Sequence, residues 1–183
     1  MPRTSLVLSG IALVSVAFVA EGQSMTPLRL GAAVGTSFKR NTWSPQGGHA
    51  TLSITSQSPG ARLGFRVEVL FDGGHRLVPP GVGFGPSWES HRTIAFTINP
   101  TYRLWGRQTG LYVIAGLGIY NSWSESRPLF DGTPHFASVF EPGANMGLGF
   151  DFKAFGREVF VESRLHSGAF HDRVPLTLGI KFE

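Results

Sequence analysis

Residues 61–71 read ARLGFRVEVLF. Leu63, Phe65, Val67, Val69 and Phe71 alternate with Arg62, Gly64, Arg66 and Glu68, the period of two that places successive side chains on opposite faces of a β-strand. One face carries no charge, while the other carries charges of both signs. Which face meets an apolar neighbour decides the fold. A water-soluble sheet turns the apolar face into a protein core; a membrane barrel turns it outward to lipid and folds the charges inside.

The same alternation recurs along the chain. Apolar sets fall at Leu28, Leu30, Ala32 and Val34; at Ala50, Leu52 and Ile54; at Ile94, Phe96, Ile98, Tyr102 and Leu104; and at Leu111, Val113, Ala115, Leu117 and Ile119. They continue at Ala144, Met146, Leu148, Phe150 and Phe152; at Val159, Val161 and Leu165; and at Val174, Leu176, Leu178, Ile180 and Phe182. With the quoted stretch these make eight strands. Helices are not expected, because glycines interrupt almost every segment and apolar residues do not recur at i, i+3 and i+4. The fold class read from this pattern is all-β, a single closed antiparallel up-and-down eight-stranded transmembrane β-barrel.

The connections supply an independent test. They run long over 40–48, short at QSPG (57–60), long over 72–90, short at WGRQTG (105–110), long over 121–138, short at KAFGRE (153–158) and moderate over 167–172. Long external loops alternating with tight periplasmic turns are the rhythm of an up-and-down membrane barrel. An even strand number lets the last strand, RVPLTLGIKF (173–182), close on the first and leave no free sheet edge.

A secreted lipocalin-like barrel is the rival architecture, with apolar residues inside. Two features favour the membrane. Gly31, Gly35, Gly64, Gly116, Gly118, Gly147, Gly149 and Gly179 all share the polar parity, as a narrow, crowded lumen requires. The apolar parity is essentially free of charge, as expected where Arg or Lys facing lipid costs about 2–4 kcal/mol at mid-depth. The polar parity holds Arg62, Arg66, Glu68, Arg103, Glu141, Asp151, Glu162, Arg164, His166 and Lys181. Pointing inward, these are expected to pair in a lumenal charge network that plugs the barrel. Aromatic girdles are expected at Phe38, Phe71, Trp43 and Trp123 outside, and at Tyr102, Trp105, Phe152, Phe155 and Phe182 on the periplasmic side.

Composition agrees. Charged residues are only 15% of the 183-residue chain, against about 25% in an average soluble domain. The net charge of +4 is scattered, which argues against a nucleic-acid surface. With no cysteine, disulfides, thiolate metal sites and a Cys nucleophile are excluded. The opening MPRTSLVLSGIALVSVAFVAEGQS (1–24) has a basic start at Arg3, an apolar run from Leu6 to Ala20, and small residues at Ala20 and Gly22. It reads as a signal peptide over 1–22, the run being short of the about 20 residues that span a bilayer. Residues 23–183 are then the barrel domain.

Signal peptide, eight strands, loop rhythm and closing strand VPLTLGIKF together resemble the small OmpA/OmpX-like outer-membrane barrels of Gram-negative-type bacteria, over the whole mature chain. The resemblance implies location in the bacterial outer membrane and a monomer in contact with outer-membrane lipid and lipopolysaccharide. It also implies an assembly signal at Phe182, read by the barrel-assembly machinery, although Glu183 follows where such signals usually end. No cofactor is implied, and no single activity, since one fold serves many roles. The expected role is non-enzymatic, structural or surface-interacting. It would act through the loops DGGHRLVPPGVGFGPSWES (72–90) and NSWSESRPLFDGTPHFAS (121–138), which combine aromatic, Pro and charged residues.

The enzymatic alternative rests on ESRLHSGAF (162–170), where His166 and Ser167 distantly resemble the His-x-Ser-Asn motif of lipid A deacylases. Ser167 is adjacent to His166 rather than two residues on, no Asn follows, and parity turns His166 toward the lumen. The six histidines include no close pair with zinc-ligand spacing beyond His166 and His171, which lack a clear third ligand. GVGFG (81–85) lacks the Lys and following helix of a phosphate-binding loop.

Overall fold

The structure is a computed structural model and describes residues 28–39, 45–58, 60–80, 86–106, 109–130, 132–167 and 173–182. The signal segment, Trp43, His171 and Glu183 lie outside these residues. The strands are β1 (Leu28–Lys39), β2 (Pro45–Ser56), β3 (Leu63–Val78), β4 (Ser87–Arg103), β5 (Gly110–Pro128), β6 (His135–Ala154), β7 (Arg157–Ser167) and β8 (Arg173–Phe182). They close into one barrel in chain order, each strand antiparallel to its neighbours. Closure is made by β1 and β8, paired from Leu30↔Phe182 to Lys39↔Arg173.

The faces are arranged as the alternation predicts for a membrane barrel. Leu117 is 72% exposed and Met146 63%, whereas Glu162 is 1% and Arg66 2% exposed. Leu30, Val34, Leu52, Leu148 and Leu178 join the exposed apolar wall. A lipocalin-like barrel would reverse these faces. An apolar wall this continuous is unstable in water and stable in hydrocarbon, and the closed ladder leaves no unpaired strand edge at that depth. The barrel is transmembrane.

A narrow lumen must still be filled. Tyr112 and Phe160 point inward and are almost fully buried, and two glycines on neighbouring strands make room for their rings. A Cβ on Gly149 would lie 2.2 Å from Tyr112 Cζ, and one on Gly179 would lie 2.3 Å from Phe160 Cζ. Both approaches are closer than any side chain tolerates.

The two ends differ. At one end the connections are tight, the shortest being the two-residue turn Phe155-Gly156, where φ is 52° and 72°. Positive φ at both positions matches the right-handed twist of a hairpin. Gly156 accepts it freely, and Phe155 adopts it with its side chain fully in the surroundings. At the other end the segments expected as long loops are largely strand. The β3–β4 ladder runs out to Val78↔Ser87, β4–β5 to Ser87↔Pro128, and β5–β6 to Ser126↔His135. By contrast, β2 leaves β3 at Gly48↔Gly73, and β7 leaves β6 at Ala144↔Ser167. A four-stranded sheet built from β3–β6 therefore stands clear of the rim. Beyond Gly73 it rises about 15 Å, at about 3.3 Å per residue.

Candidate functional site

β3 feeds the lumen in layers, because its inward residues are Arg66, Glu68, Leu70 and Asp72. At the level of Arg66 and Glu68 lies the densest charge cluster. Arg66 donates to Glu162 at 2.9 Å and to Tyr112 Oη at 3.3 Å, and Tyr112 donates to the same Glu162 oxygen at 2.7 Å. Arg164 donates to Glu68 at 2.6 Å and, through Nε, to Glu162. Two guanidinium groups and two carboxylates thus neutralise one another in a region closed to water. Arg66 also lies over the Phe160 ring, 5.0 Å from its centroid, a contact that favours a weakly hydrated cation.

Toward the tight-turn end, Asp151 accepts from Arg103 and from Lys181, each at 2.8 Å. Lys181 reaches on to Glu158 at 2.6 Å, and Glu158 accepts from Arg29 at 2.7 Å. Since Lys181 and Arg29 belong to the last and first strands, this chain of ion pairs crosses the seam that closes the barrel. Above the central cluster an amide layer follows, with Asn145 donating to Asn99 at 2.9 Å and Asn99 to Thr97 at 2.8 Å. Next come Leu70, Ala95 and Tyr120, packed together. The outermost layer gathers Asp72, which accepts from Ser37 and Arg173, with His91 3.5 Å away.

Of the residues expected in the lumenal network, Arg66, Glu68, Arg103, Asp151, Glu162, Arg164 and Lys181 come together there, and Glu141 and His166 are buried on the same inward face. Arg62 does not join them. It precedes the first residue of β3 and is exposed, because alternation fixes a face only once the strand ladder has begun. Sequence reasoning missed Tyr112, Tyr120, Asn99, Asn145, Asp72 and Glu158. The polar ones were within reach by the same parity; the tyrosines sit in an apolar run where both faces look alike.

His166 is 5% exposed, with Nδ1 2.9 Å from Tyr120 Oη. Ser167 is turned to the opposite, exposed face, as neighbours on a strand must be. The two cannot act as nucleophile and base, which need hydrogen-bond reach. A second Ser, His and Asp lie together at the wide end, but in an unsuitable order. Ser37 sits between Asp72 and His49, its Oγ bonded to Asp72 and 3.5 Å from His49 Nδ1, while His49 Nε2 meets Thr177 at 2.8 Å. Ser37 and Thr177 are both buried, so neither hydroxyl is open to a substrate. Among the described residues no group of three or more His, Asp or Glu side chains is gathered to hold a metal ion.

Among the described residues the lumen is closely filled. Cavities between the layers are about 10 Å³ beside Arg103 and Asp151, and about 20 Å³ beside Tyr120 and His166, space on the order of one water each. Exposed aromatics mark both ends of the wall: Phe71, Trp88, Trp123, Phe136 and Phe140 toward the projecting sheet, and Tyr102, Trp105, Phe155 and Phe182 toward the tight turns.

No protein-family model and no curated protein matches the chain. Solved structures do. Neisserial surface protein A superposes with a TM-score of 0.51 at 10% identity, covering 84% of this chain and 95% of that one. Ail, the attachment invasion locus protein of Yersinia pestis, gives 0.49 at 12% identity, covering 84% and 93%. The N-terminal β-barrel domain of Pseudomonas aeruginosa OprF gives 0.48 at 11%, covering 84% and 97%. With its closed eight-stranded barrel and its likeness to Neisserial surface protein A, the protein has the fold of the small eight-stranded outer-membrane barrels.

Proposed function

We propose that this protein is a non-enzymatic barrel of the bacterial outer membrane, anchored by its apolar wall, that presents the β3–β6 sheet outside the cell as a contact surface. The observation that carries this reading is the division of the molecule. The lumen is closed by successive layers of paired charges, amides and apolar side chains, so neither transport nor chemistry is served there. What remains accessible is the sheet above the rim with its β5–β6 connection, where Leu77, Trp88, Phe130 and Phe136 are all at least 46% exposed, beside the exposed ion pair Arg76–Glu89 at 2.7 Å. Aromatic and apolar groups interleaved with charges on a rigid support suit macromolecular contact. On this reading the tight turns are periplasmic, and Phe182, near them on the closing strand, would serve as the assembly signal.

Membrane fractionation with a heat-dependent gel shift tests the anchoring. The protein is expected in the outer-membrane fraction, migrating faster unheated than heated. A chymotrypsin-type protease added to intact cells tests the sidedness. It is expected to cut after Phe130, which lies between β5 and β6 and is 76% exposed, and to spare Phe155 in the opposite turn. A soluble periplasmic product would overturn the membrane reading, and first cleavage at Phe155 would invert the topology.

A further inference from the structure

The outer face of the barrel is not uniformly convex. Where the projecting sheet leaves the rim, a groove of about 1090 Å³ opens on the outside of β2–β6. Its floor and lower wall are Ala50, Phe71 and Ile94, and its upper wall is Trp123 and Phe136. Cross-strand register fixes their depth. Ala50, Phe71 and Ile94 form one outward row, Gly73, Arg92, Trp123 and Ser138 the next, and Ser90, Glu125 and Phe136 the one above. The groove thus starts on the apolar wall and ends among polar groups, at the level where hydrocarbon gives way to headgroups.

Arg92 stands in the middle row, exposed. The neighbouring carboxylates are already engaged, Glu125 with Arg127 and Glu89 with Arg76, and Asp72 turns inward to Ser37 and Arg173. Among the described residues no carboxylate pairs with Arg92. An unpaired guanidinium at headgroup depth, above an apolar channel and beside an indole, complements an anionic amphiphile. The bilayer itself covers this face, so lipid is the occupant the surroundings supply.

We propose that this groove is a binding site for a phosphorylated lipid of the outer leaflet, with its phosphate on Arg92 and an acyl chain over Phe71 and Ile94. The assignment rests on the outer-membrane reading above, with the projecting sheet outside.

The test is native mass spectrometry of the purified barrel in neutral detergent with added lipid A, against the same lipid stripped of its phosphates. The wild type is expected to retain the phosphorylated lipid as a single adduct and to bind the stripped one about tenfold more weakly, the loss expected for one charge-assisted contact. Arg92→Gln should remove that preference, Arg92→Lys should keep part of it, and Phe71→Ser, beneath the acyl chain, should weaken both lipids alike. Equal retention of the two lipids by the wild type, or an unchanged preference in Arg92→Gln, would overturn the proposal. A heat-dependent gel shift on each variant separates these results from failure of the barrel to fold or insert.

Discussion

At the scale of single residues, the deciding fact is that buried charges here are shared. Glu162 accepts from Arg66, Arg164 and Tyr112 at once, so its removal leaves two guanidinium groups in a closed lumen with Glu68 as the one carboxylate between them, 2.6 Å from Arg164 and 3.9 Å from Arg66. Glu162→Gln is expected to cost about 3–5 kcal/mol in urea unfolding from micelles, the range for breaking a buried pair. Glu89→Gln, which breaks an exposed pair, is expected to cost no more than about 1 kcal/mol. Equal effects would mean that the lumen is wet. His166→Ala removes a hydrogen bond to Tyr120 and should cost about 1 kcal/mol. Neither it nor Ser167→Ala is expected to change the lipid A acylation pattern, read by mass spectrometry of expressing cells. An acyl chain lost with the parent protein and regained in either variant would establish a deacylase.

At the scale of elements, depth along a strand sets the penalty for a charge. Leu178 lies mid-strand on the outer wall of β8, 54% exposed, and Leu178→Arg is expected to impair insertion by about 2–4 kcal/mol relative to Leu178→Ala. Leu77 is similarly exposed, 51%, but sits above the rim in β3, and Leu77→Arg should insert normally. Urea refolding into vesicles measures both. This contrast also explains what could be read in advance. Below the rim one face meets lipid and the other a packed lumen, so the alternation is written into residues such as Val67 and Glu68, and the eight strands and most lumenal charges follow. Above the rim both faces of β3–β6 meet water. DGGHRLV and NSWSESR then show no alternation, and strands there pass for loops. The lumenal aromatics were hidden for another reason. Tyr112 and Phe160 fit inside only because Gly149 and Gly179 stand opposite them, and that pairing exists only once the strand register is set.

At the scale of the whole molecule, the layers act in series. Passage of an ion requires every layer to open: the Arg103–Asp151–Lys181 pairs, the Arg66–Glu162–Arg164–Glu68 cluster, the Asn99–Asn145 amides, and the Leu70–Ala95–Tyr120 packing. Eight strands enclose a space that side chains just fill, and the cavities beside Arg103 and beside Tyr120 are each about the size of one water. The protein in planar bilayers is therefore expected to show no stable conductance steps. The series arrangement predicts more than a simple plug would. Removing one layer, as in Arg66→Ala, should lower stability without opening a channel, because the amide and apolar layers above it remain shut. A conducting wild type would refute the closed lumen, and a conducting Arg66→Ala would show that the charge cluster alone holds the barrel closed.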